Sequence, residues 1–156
     1  MRIRSIVYGI AILVAGAAAA GAAAPSPFVA EWHWNKGAST SIPGEPSPHE
    51  VVLNITSADP AHVEWTLTTV DENGARDVQT FSGAGDGKPV TGSPDGSTRA
   101  FTVTATSLDS VYRYPDGSSD SASCSLSTDR KKLTCRGSES DGKGHSATYV
   151  DVYDRR

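Results

Sequence analysis

Cys124 and Cys135 are the chain's two cysteines and its most informative pair. If Asp129-Arg130 is the tip of a two-residue hairpin, residues 128/131, 126/133 and 124/135 stand opposite one another. Both sulfurs then share one face of adjacent strands, close enough to bond where the local twist permits. Two cysteines in an exported chain are usually oxidised, so a Cys124–Cys135 disulfide is expected. Its short loop limits the stabilisation to roughly 2–3 kcal/mol in the chain-entropy account. The competing reading, a redox or metal pair, lacks C-x-x-C spacing and a nearby histidine.

The four histidines are His33, His49, His62 and His145. Glu31 with His33, and His62 with Glu64, each put an acid and an imidazole two apart, on one strand face. Two ligands do not make a metal site, and no third is indicated, so these pairs read as solvated surface and no metal is expected. Asp86, Asp95, Asp116 and Asp141 each lie at or beside a turn glycine, where aspartate bonds its own backbone, not where paired acid–base carboxylates would sit. The many serines lack a G-x-S-x-G setting or a histidine placed to activate them. No catalytic residue and no cofactor is expected.

The large aromatics remain. Trp32 and Trp34 are two apart in FVAEWHWNKGASTSIPGEPSP, residues 28–48, and so share one strand face. With Trp65 and Phe101 they form the set assigned inward. They either fill a core or wall a cavity for a small apolar ligand, since small barrels do both. The loop from Thr40 to Pro48 then covers a barrel mouth or merely bridges one end.

The elements that must position these residues are strands. Past residue 24 no segment of ten or more residues shows apolar positions at helical spacing. Alternation recurs instead: Val51, Leu53 and Ile55; Val63, Trp65 and Leu67; Val78 and Thr80 against Gln79 and Phe81; Phe101, Val103 and Ala105. From Leu108 to Tyr114 the inward face is ambiguous, with Val111 and Arg113 opposed to Tyr112 and Tyr114. A polar strand spans 119–127 and pairs with 133–140, and 146–153 closes the domain with Tyr149 and Tyr153 on one face. Asn73-Gly74 and repeated Asp-Gly steps mark the hairpins. The expectation is all-β: a single up-and-down antiparallel β-barrel of about 9–10 strands, favoured over a sandwich because hairpins dominate the connections.

Residues 1–24 belong to a different class. Arg2 and Arg4 precede an apolar run from Ile6 to Val14 and an alanine–glycine stretch to Ala24. This is the pattern of a signal peptide, cleaved between about residues 20 and 24, after Ala20 or Ala23. An uncleaved anchor would want a more apolar second half and a basic flank. The expected protein is therefore secreted or periplasmic, with residues 25–156 as one domain and no stable membrane insertion. Loss of Arg2 and Arg4 leaves 12 basic against 18 acidic residues, a net charge of −6. That balance argues against nucleic acid as a partner.

Two blocks carry a family resemblance. Trp32, Asn35, Ser39, Pro43, Gly44 and Pro46 read W-x-x-N-x-x-x-S-x-x-x-P-G-x-P, and Asp86 to Asp95 resembles D-G-K-x-x-P-V-T-G-x-P-D shortened by two. Thr128 to Thr134 stands where such chains carry an S-x-D-G-K-T-L-T hairpin, with Arg130 in place of its glycine. Together the blocks resemble the small secreted bacterial proteins of lipocalin-like, calycin-type barrel fold. Ala30 stands where true lipocalins have the glycine of G-x-W, and their T-D-Y triplet is absent. The resemblance implies a barrel with an apolar interior and brings no catalytic residues. The functional expectations are three. The first is a non-catalytic carrier gripping a small apolar molecule with Trp34, Trp65 and Phe101. The second is an envelope or surface protein-interaction module with a filled core, and the third is an enzyme of unknown type.

Overall fold

The computed structural model describes residues 25–156; the expected signal peptide, residues 1–24, lies outside them. Nine strands follow one another: β1 (Ala30–Trp34), β2 (Glu50–Ala58), β3 (Val63–Val70), β4 (Arg76–Gly83), β5 (Thr98–Val103), β6 (Ser107–Arg113), β7 (Ser119–Leu126), β8 (Lys132–Ser140) and β9 (Ser146–Arg155). They form one antiparallel sheet in the order β4-β3-β2-β1-β9-β8-β7-β6-β5. The chain is thus an up-and-down meander whose first and last strands pair, Trp32 with Arg155 and Trp34 with Tyr153.

The sheet curls without completing its hydrogen-bond ladder, because β4 and β5 are its two edges. Side chains and a patch of backbone close this seam. Trp65 stacks on Phe81 at 6.1 Å, and Phe81 meets Phe101 at 4.3 Å between ring centroids. Phe101 in turn meets Tyr112 edge-on at 5.9 Å. Aromatic pairs of this kind add about 0.5–1.5 kcal/mol each beyond the area they bury. The segment after β4 runs back along β5, with Val90 and Arg99 exchanging backbone bonds of 2.8 and 3.0 Å and Gly87 donating to Phe101 at 2.8 Å.

Alternation sorts the strands as their sequences imply. Val51, Ile55, Val63, Trp65, Phe81 and Phe101 are buried, while Val78 on the opposite face of β4 is 51% exposed. In β6 the ambiguity resolves toward the aromatics: Leu108 and Ser110 are buried and Tyr112 packs against the core. A register shift between Ile55 and Ser57 lets both Ile55 and Ala58 face inward, which strict alternation forbids.

The β7–β8 hairpin has the register counted from its tip, with Leu126 opposite Leu133 and Cys124 opposite Cys135. The two cysteines are joined in a disulfide. Arg130, which stands where the resembled hairpin has glycine, takes the left-handed conformation at φ 57°. The turn aspartates bond backbone, as when Asp141 accepts from Lys143 N–H at 2.7 Å and Asp116 from Ser118 N–H at 2.9 Å.

Candidate ligand cavity

One end of the barrel is plugged. Trp32, Phe28, Leu133 and Val63 are completely or almost completely buried there. The Trp32 indole N–H donates to the Phe28 carbonyl at 2.9 Å, and the Arg155 guanidinium lies 5.2 Å over its ring. Trp32 therefore fills the closed end and takes no part in the wall of the cavity beyond it.

Above this plug the interior opens into a cavity of about 240 Å³. Trp65, Phe101, Leu53 and Leu67 form its apolar wall, and the disulfide its floor on the β7–β8 side. It adjoins a second chamber of about 260 Å³ at the mouth, lined by Trp34 and by Ile42, Pro46 and Pro48 of the loop after β1. Leu67, Tyr149, Asp151 and Tyr153 border both chambers and mark the junction. Of the four aromatics assigned inward from the sequence, Trp65 and Phe101 wall the cavity and Trp34 lines the mouth.

The loop over the mouth is held by polar residues. Asn35 donates from its backbone to Val152 at 2.7 Å and from its side-chain amide to Asp154 at 2.7 Å. Ser39 Oγ donates to the Asn35 carbonyl and accepts from Val152 N–H at 3.0 Å. Thr40 and Val150 then exchange backbone bonds of 2.7 and 2.9 Å. The asparagine and serine of the first sequence block are thus the pins that fix this loop to β9.

The interior is not uniformly apolar. Asp120 and Asp151, both half-buried, reach the 240 Å³ cavity, and Glu45, Glu139 and Asp151 line the mouth chamber. Trp34 Nε1–H donates to Asp151 at 2.9 Å, and Tyr149 Oη–H donates to Asp120 at 2.8 Å. Tyr149 reaches Asp120 across β8 because the residue between them is Gly137, where any Cβ would overlap the Tyr149 ring. Burial pushes the Asp151 carboxyl above the usual carboxylate range against the pull of the Trp34 hydrogen bond. Burial also raises Asp120, which Asp151 and Glu45 push further while Tyr149 opposes. Glu139 is raised by burial and then by the charges of Glu45 and Asp120. The Tyr112, Tyr149 and Tyr153 phenols are driven far up by burial, so they stay neutral.

These carboxylates lie outside the set of residues singled out from the sequence, yet strand parity counted from Cys124 and Cys135 places Asp120 and Glu139 on their face. Likewise Tyr149-x-Asp151-x-Tyr153 is one face of β9. The histidine–acid pairs lie on the outside: His33 is 2.7 Å from Glu31, and His62 is 3.9 Å from Glu64. Among the described residues no group of three His, Cys, Asp or Glu side chains gathers as a metal site would require.

No family model matches the chain, and no curated protein matches it in sequence. Solved structures do match in shape. The fluorescent protein UnaG in its wild-type form superposes with a TM-score of 0.54 at 16% identity, over 83% of this chain and 97% of that one. Two single-site mutants of UnaG, in which one asparagine is replaced by alanine or by glutamine, superpose similarly. The alanine mutant gives 0.58 at 16%, over 83% and 96%, and the glutamine mutant 0.56 at 14%, over 83% and 96%. At such identities the likeness speaks for the fold alone. With its nine-stranded meander and β1–β9 pairing, the chain has a lipocalin-like, calycin-type β-barrel fold, curled and open between β4 and β5.

Proposed function

We propose that the protein is an exported, non-catalytic binding module that holds a small, largely apolar molecule inside the barrel. The observation that carries this reading is the cavity of about 240 Å³ walled by Trp65 and Phe101, which shares Leu67, Tyr149, Asp151 and Tyr153 with a chamber at the mouth. A core packed like ordinary protein interior leaves few voids larger than a water molecule, so an interior of this size favours a carrier over an interaction module with a filled core. The walls of both chambers carry tyrosines and carboxylates but no histidine. Export is supported by the Arg2–Arg4 start, the apolar run after it and the Cys124–Cys135 disulfide, which suits an oxidising compartment.

The reading is tested with N-phenyl-1-naphthylamine, a neutral apolar dye that brightens out of water. One dye should bind per mature protein, and Trp65→Leu, which keeps the wall apolar but removes the indole, should weaken it at least tenfold. A flat titration, or unchanged affinity in that variant, contradicts the reading.

A further inference from the structure

The charged groups at the junction of the two chambers are all of one kind. Asp151 borders both chambers, Asp120 reaches the inner one, and Glu45 and Glu139 reach the outer one. Among the described residues no lysine, arginine or histidine lines either. Half-buried carboxylates without a cation are costly to keep. Asp120 has one side-chain donor, Tyr149, and Asp151 has one, Trp34, so carboxylate acceptor positions remain at both.

A second, independent feature marks the same point. Tyr153 is only 7% exposed and borders both chambers, and its phenol makes no hydrogen bond among the described residues. Among the described residues no buried side-chain oxygen lacks a partner, so this hydroxyl is the accessible tip of an otherwise buried residue and meets the open space. It offers the lone pairs and O–H that a polar ligand group would use. Trp34 lines the outer chamber and Tyr149 both, and aromatic rings near a cation favour positive charge.

Resting on the interior-binding reading above, we propose that the ligand is an amphipathic cation. A protonated amine or quaternary ammonium sits at the junction against Asp151, Asp120 and Tyr153, with its apolar body against Trp65 and Phe101. The arrangement also disfavours the anionic amphiphile, whose head group would meet Asp151 and Asp120. The net charge of −6 on residues 25–156 acts in the same direction, drawing cations toward the mouth.

The test is a matched series of one ring system with three head groups: 1-naphthylmethylamine, 1-naphthalenemethanol and 1-naphthoate, each titrated calorimetrically into the mature protein at neutral pH. The amine should bind at least tenfold more tightly than the alcohol, and the naphthoate at least tenfold more weakly. In Asp120→Asn/Asp151→Asn the amine's advantage over the alcohol should fall below threefold. If the double variant fails to bind the alcohol, Asp151→Asn alone, whose amide oxygen still accepts from Trp34, should cut the advantage at least threefold. An amine that binds no better than the alcohol overturns the cation assignment and leaves the interior-binding reading standing. So does a naphthoate that binds best, or an advantage that survives the aspartate substitutions. Failure of both amine and alcohol to bind overturns the two readings together.

Discussion

Trp34 and Asp151 meet inside the barrel mouth, the indole N–H donating to a carboxylate oxygen at 2.9 Å. The contact ties β1 to β9 and holds a charge in a half-buried position where burial raises its pKa. The barrel tolerates this cost at the place where its two chambers join.

Asp151→Asn should therefore stabilise the empty protein. Between the ordinary carboxylate range and the raised value in the fold, the native state holds a proton that the unfolded chain has released. Stability then falls as pH rises through that window, and above it the full cost of the buried charge is present. Asparagine keeps an acceptor for Trp34 and cannot ionise. The variant's Tm should exceed the wild type's at neutral pH, and the gap should shrink as pH falls through the raised range and below it. A gap that is absent at neutral pH, or that widens on acidification, contradicts this.

Gly137 is required by its neighbour on β9. Gly137→Ala should cost about 1–3 kcal/mol, the range for overpacking a well-filled site. In a Tyr149→Ala background the ring is gone and most of that cost should vanish, giving a coupling energy in a double-mutant cycle by urea denaturation. Additive costs would show that Gly137 serves some other purpose.

The disulfide closes a hairpin with a sequence separation of 11 residues. Cys124→Ala/Cys135→Ala should lose about 2–3 kcal/mol of stability, and reductant should lower the wild type's denaturation midpoint but not the variant's. Free thiols in the oxidised mature protein would refute the pairing outright.

The seam between β4 and β5 should be the first part of the barrel to open. Besides the aromatic packing, the hydrogen bond from the Arg99 guanidinium to the Thr80 carbonyl at 3.4 Å crosses it. Phe81→Ala should cost about 3–5 kcal/mol and should speed hydrogen exchange in β4 and β5 before β8 and β9. Uniform loss of protection around the barrel would argue against a weak seam.

The strands were legible because period-two alternation was strong wherever one face is buried and Asn-Gly or Asp-Gly steps ended many of the runs. Counting from the Asp129-Arg130 tip was enough to pair Cys124 with Cys135. Trp65 and Phe101 were legible as inward aromatics for the same reason. Trp32 shares its face with Trp34, but strand parity carries no information on depth along the barrel, so a plug and a mouth residue look alike. The bulge after Ile55 and the β4–β5 seam are tertiary features without a local signal. Asp120 and Asp151 stood on readable faces, yet an aspartate among serines, or beside valines near a chain end, reads as solvated until the cavity behind it is known.

Native mass spectrometry of the mature protein, purified from its own host without reductant, tests the central claim most directly. The expected result is a polypeptide lacking its signal segment and two hydrogens at Cys124 and Cys135, carrying one small basic molecule that leaves on denaturation. The bare polypeptide alone, from preparations that never saw denaturant, would contradict a carrier.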